Sequence, residues 1–224
     1  MNSAENILHL LKEKASTKQK VYRITKRIFS EFQEILTEKA VKLNTEISDD
    51  DVTISYQESG DFDAKLRFSG ETLLFHMHTN IFEFAQSHQI HKTSYVQQDK
   101  MRSFCGVINI YNFLSDSLKY NRLNDAGFLI ARVFINKDCH FFVEGEKELG
   151  FLFNDFVNQK INTDQMHQII NSCMEYALNF DLEIPSFNDV KIVSVHEILD
   201  INNNHKLKTS KRLGFKFPHD TNNE

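Results

Sequence analysis

The sequence predicts an α+β fold: an antiparallel twisted sheet of six to seven strands with N-terminal and C-terminal amphipathic helices packed mainly on one face. Three observations carry this expectation. Residues 52 to 78 alternate apolar and polar side chains in three successive runs, the period of half-buried strands. Residues 17 to 43 and 163 to 180 instead space their apolar residues by three and four, as a helix does when one stripe is covered. The 224 residues contain only 2 Pro and 7 Gly, so long regular elements with short connections are expected.

In order along the chain, Ser3 is positioned to cap a short helix carrying Ile7, Leu8, Leu10 and Leu11. After Ser16-Thr17 a longer helix is expected, with Val21, Ile24, Ile28, Phe32, Ile35, Leu36 and Leu43 on its stripe. Asp49-Asp50-Asp51 ends the helical period. Strands follow at 52–57, 62–68 and 72–79, joined at Gly60 and at Ser69-Gly70. The clearest alternation sets Phe62, Ala64, Leu66 and Phe68 against Asp63, Lys65 and Arg67. Residues 85 to 103 fit neither period and read as a loop or short helix. Residues 105–113, 127–135 and 139–144 return to strand, the first apolar on both faces and therefore central, the second the most apolar in the chain. Helical spacing resumes at 147–161, with Leu149, Leu152, Phe153 and Phe156. It recurs after Asn162-Thr163, with Met166, Ile169, Ile170, Cys173 and Ala177. A last strand is expected at 189–199. The chain thus divides into an N-terminal helical segment (1–45), a sheet domain (46–200) and a polar, basic tail (201–224).

Composition excludes several classes. Hydrophobic residues at 41% with 25% charged indicate a globular chain rather than a disordered one. A net charge of −5 argues against a protein built throughout to hold polyanions. No GxGxxG or GxxxxGK[ST] pattern is present, so a glycine-rich phosphate loop is not expected. Cys105, Cys139 and Cys173 are odd in number and lie within apolar patterns; free buried thiols and a reducing, cytoplasmic location follow. No window resembles a secretory leader or a membrane span, and no membrane partner is expected.

Four constellations could carry chemistry. His76 and His78 share one face of a strand, and His88 and His91 follow within 16 residues; imidazoles at such spacings can ligate a transition metal. Asp63-Ala64-Lys65 has the DxK form used by metal-dependent nucleases, with Asp49, Asp50 or Asp51 upstream to complete a metal pair. The same residues also serve as an ordinary solvated strand face with cross-strand charge pairs. Cys139-His140 and Ser87-His88 are sequence neighbours that point apart on a strand, and no GxSxG elbow exists, so nucleophilic catalysis is not expected. For nucleic acid the basic clusters are Lys18, Arg23 and Arg27 on the long helix and Lys211 and Arg212 in the tail, where Phe215 and Phe217 lie nearby.

No cofactor is expected. The leading expectation is an intracellular binding or interaction module without catalytic activity, engaging a protein partner or a second copy of itself. The alternative is a metal-dependent hydrolase or nuclease using the polar face of the 52–79 meander.

Overall fold

A computed structural model describes residues 3–195 except 124, 147, 182, 183 and 185. The expected α+β architecture is present: a 7-stranded antiparallel sheet with helices. The N-terminal helices form one rod: α1 (Ser3–Leu10), a π turn (Leu11–Ala15) and α2 (Ser16–Glu46). The break expected at Ser16-Thr17 does not occur. Ala15 and Ser16 both keep right-handed helical angles, and no side chain caps α2, so the two hydroxyl residues are carried inside the rod. The wide π turn accommodates the change of phase between the two helical stretches.

Strands β1 (Ile54–Glu58), β2 (Asp63–Phe68) and β3 (Glu71–Met77) form the meander that the alternation predicts. The 11-residue β5 (Phe104–Leu114) lies beside β3 and, further along, beside the two-residue β4 (Phe82–Glu83). Its other side pairs with β6 (Phe128–Asn136), which pairs with β7 (Phe141–Gly145). The spatial order is β1-β2-β3-β5-β6-β7.

Side-chain parity divides the sheet. One face carries Ala64, Leu66, Phe68, Leu73, Phe75, Met77, Ile108 and Ile110, all buried beneath α2 and α6 (Thr163–Leu178). Helix α2 contributes Ile28, Phe29, Phe32, Ile35 and Leu36 to this core, and α6 contributes Met166, Ile169, Ile170 and Cys173. Asn162 starts α6 through a capping box with Gln165, which satisfies two otherwise unpaired backbone donors. At one end of the opposite face a smaller cluster joins Ile90, Val96, Cys105, Val107, Phe134, Phe142 and Phe156.

That second cluster is covered by residues 85–103, where the expected loop or short helix is a short turn followed by three helical turns. They are the 3-10 turn Gln89–Lys92, α3 (Ser94–Gln98) and the 3-10 turn Lys100–Ser103. His88, Thr93 and Asp99 cap them in succession, each side chain accepting a backbone N–H two or three residues on. Five-residue α4 (Ser115–Lys119) occupies part of the polar connection after β5.

Three further expectations are corrected. The helix expected over 147–161 is limited to α5 (Glu148–Leu152). Beyond it the chain wraps the outer edge of β7, where Val143 N–H donates to Phe153 C=O and Phe141 N–H to Gln159 C=O. Phe153 therefore enters the helix-side core and Phe156 the opposite cluster, a division that one helical stripe cannot achieve. The final strand is absent over its described part: Phe187–Val190 is a single helical turn, α7, and residues 191–195 are not in a strand. Residues 196–199, the tail and Pro185 lie outside the described residues. Finally, Cys105 and Cys173 are fully buried, but Cys139 is only half-buried, at a turn with φ +62°.

Candidate functional site

The polar side of the sheet is the candidate site, and strand register builds it. Asp63 stands opposite His76, His76 opposite Asn109, Asn109 opposite Arg132 and Arg132 opposite Glu144. Five strands thus place one polar residue each in a single transverse row. Its ends are paired: His76 Nδ1 lies 2.7 Å from Asp63 Oδ1, and the Arg132 guanidinium meets the Glu144 carboxylate. Asn109 stands between them.

The Asp63 carboxylate only accepts, so His76 donates from Nδ1. His78, two residues on, has its Nδ1 occupied by the Asn80 N–H at 3.0 Å and turns its ring edge-on to Phe82. The two imidazoles are 6.4 Å apart between centroids, with their planes 77° apart. His78, Phe82, Asn109, Arg132 and Phe134 border a cleft of about 380 Å³ beside this row.

The other sequence candidates do not converge there. His88 accepts from the Ile90 N–H and packs its ring against Phe84, while His91 Nε2 donates to the Phe84 carbonyl at 3.0 Å. Both serve the turn of 85–92. Among the described residues no group of three or more His, Cys, Asp or Glu is arranged to hold a metal ion. Lys65 faces the same side as Asp63 but sits in register with Gln57 and Leu74. Asp49, Asp50 and Asp51 lead into Ile54, which pairs with Phe68 at the far end of β2, on the order of 17 Å from Asp63 at the strand's rise per residue. The two-carboxylate pair suggested by the DxK pattern is therefore not assembled.

The basic residues of α2 are dispersed. Lys18 places its ammonium 5.5 Å from the Phe104 ring centre, and Arg27 pairs with Glu31 at 3.4 Å and reaches Cys139 Sγ at 3.8 Å. Arg23 is exposed. Lys211 and Arg212 lie outside the described residues.

A second polar cluster looks elaborate but has a structural task. Tyr95 stacks on His140 at 4.4 Å, lies beneath the Arg102 guanidinium at 4.2 Å, donates to Asp138 and accepts from Asn136. Burial pushes its phenol up to about 12, so it stays protonated and acts as a donor. Nearby, burial works to raise the Asp99 carboxyl. The Lys137 ammonium at 2.6 Å, the Met101 N–H and Arg102 outweigh that effect and hold it below its ordinary value of 3.8. A depressed carboxylate stabilises the fold above its unfolded pKa and loses that contribution as pH falls through the folded value. Asp99→Asn, which keeps a capping side chain, is expected to lower stability by no more than about 1 kcal/mol at neutral pH, since the pair is partly exposed. The difference from the parent should shrink towards zero below pH 3.8 in urea titrations across pH. A difference that persists in acid would assign the effect to packing instead.

Sequence reading did not find Asn109, Arg132 and Glu144. Arg132 is a lone charge inside the apolar run 128–135, and that interruption was the available signal. No protein-family model matches this chain, and no curated protein or solved structure matches it significantly.

Proposed function

We propose that this chain is a non-catalytic protein-binding module that works in self-associated form, with its N-terminal helical projection packed against a second copy. One observation carries the reading. Helix α1 buries none of its residues, yet it and the following π turn expose Ile7, Leu8, Leu10 and Leu11 at 49 to 58%. Ala4, Leu8, Leu11 and Ala15 are spaced four, three and four apart, the alternation that forms a seam between paired helices. At the projecting end of the rod this apolar side is left in water unless another surface covers it. A second copy suits the charge pattern, because Glu5 lies near one end of the projection and Lys12 near the other, where Glu13 adjoins it and Lys14 already meets Glu83 at 3.7 Å. Antiparallel pairing would set opposite charges together at both ends.

No helix among the described residues is long and apolar enough to cross a membrane. The three free cysteines support a reducing, cytoplasmic location.

Sedimentation equilibrium of the full chain tests the reading. Dimers are expected for the parent, and monomers with an unchanged far-ultraviolet spectrum for Leu8→Glu combined with Leu11→Glu. A parent that is monomeric throughout the concentration range would reject it.

The Asp63–His76 pair favours a second reading, hydrolysis on the polar meander with His76 Nε2 as base or as a single metal donor. Cleavage of a phosphodiester in zinc or manganese, abolished by His76→Ala, would replace the binding-only reading.

A further inference from the structure

The opposite end of the polar face holds a cleft of a different kind. Lys65, Arg67 and Lys119 line it together with the hydroxyls of Ser55, Thr72 and Ser115. None of its described lining residues is acidic. The juxtaposition runs against the local sequence, since residues 46–75 carry eight acids and only two bases, and both of those bases line this one cleft. Alternation on β2 puts Lys65 and Arg67 on the same side, and register sets Arg67 between Ser55 and Thr72. The chain then turns from β5 into α4, with Ser115 N–H donating to Gly70 C=O at 2.7 Å, and this turn delivers Lys119 to the same place.

Three like charges facing one cleft repel each other unless an anion joins them. Among the described residues none of the three forms an ion pair. Lys119 places its ammonium 5.0 Å from the Tyr120 ring centre. A second observation is independent of charge. The buried hydroxyls of Thr72 and Ser115 are 2.9 Å apart and hydrogen-bond to each other. One of the two must accept, and the acceptor keeps its own O–H proton for another partner. A guanidinium, two ammonium groups and a spare hydroxyl donor together match a tetrahedral oxyanion with several acceptor oxygens.

We propose that this cleft binds the phosphate monoester group of a small molecule. Its volume of about 360 Å³ accommodates the group with part of its carrier. The proposal goes beyond the reading of the chain as a protein-binding module and names a small-molecule ligand class for its polar face.

Calorimetric titration of the full chain with inorganic phosphate, a nucleoside monophosphate and a sugar phosphate tests it. One site per chain is expected for at least one of these, with affinity falling about tenfold or more in Arg67→Gln and in Lys119→Gln. Arg23→Gln, on the exposed side of α2, should bind like the parent. The ester that binds tighter than inorganic phosphate identifies the carrier. Absence of heat with all three ligands would overturn the proposal, as would binding that Arg67→Gln leaves intact. Arg67-dependent binding of an oligonucleotide with a steep salt dependence and no monoester binding would overturn it in favour of a polymer site. Sedimentation of the same samples reads self-association separately, so failure of the dimer and failure of the cleft are told apart. Release of inorganic phosphate from a bound ester would refute the non-catalytic reading while leaving the site in place.

Discussion

Phe32→Ala is expected to lower the free energy of unfolding by about 3–5 kcal/mol, the usual cost of emptying a fully buried aromatic site. Phe32 is 0% exposed at the middle of α2, and its ring lies 6.0 Å from that of Phe75, also 0% exposed, at the centre of β3. Truncation removes one of the contacts that join the long helix to the meander. Against a typical total of about 5–15 kcal/mol, such a loss brings the protein near its unfolding threshold at moderate temperature. Urea denaturation should show a lower midpoint with an unchanged slope. A loss below about 1 kcal/mol would mean that α2 is not seated on the sheet at this position.

The second large effect is expected where backbone and helix come closest. A methyl group added at Gly106 on β5 would lie 2.1 Å from Thr25 Oγ1 and within 3 Å of Thr25 Cβ and Cγ2. Thr25 is itself fully buried, with its hydroxyl donating to the Val21 carbonyl at 2.9 Å, so it has no room to swing away. Gly106→Ala should therefore push α2 off β5 and cost about 3 kcal/mol, at the upper end for overpacking. Thr25→Ala cannot relieve the clash, because Cβ remains 2.8 Å away. Thr25→Gly removes all three of these atoms and should recover most of the loss, less about 1 kcal/mol for glycine within a helix. A double-mutant cycle in urea measures this coupling. Additive effects of the two substitutions would show that the helix does not approach the strand here.

These contacts also mark how far the sequence could be read. The meander was legible because each of its strands keeps one watery side, so the alternation of Asp63, Lys65 and Arg67 with Ala64, Leu66 and Phe68 survives in one dimension. Helices α2 and α6 were legible for the corresponding reason, each having a single covered stripe. The reading failed where burial has another geometry. Phe153 and Phe156 have helical spacing, yet they pass around the edge of the sheet into two different clusters. The apolar residues of 189–195 resemble a strand but are exposed and unpaired with the sheet. Ser16-Thr17 has the composition of a cap, but the continuous rod overrides that local preference. The polar site was half visible. His76 and Asp63 could be placed on one side from alternation, whereas their pairing with each other and with the Arg132 row depends on register between distant strands. The arrival of Lys119 beside Lys65 and Arg67 depends on a turn after β5, which no local pattern encodes.

The two rims of the sheet are finished differently. Along β7 the backbone is already satisfied by the segment that wraps it, at Phe141 and Val143. Along β1 the Asn44 side chain clamps only the N–H and C=O of Ile54, and the remaining outward-facing amides up to Glu58 lack such a clamp among the described residues. Lateral growth of the sheet is therefore directional: a foreign β-segment can be templated on the β1 rim and is blocked on the other. Under partial denaturation, β1 is the place where uncontrolled stacking of chains would nucleate, and a lysine or proline introduced at its outer positions is the natural safeguard.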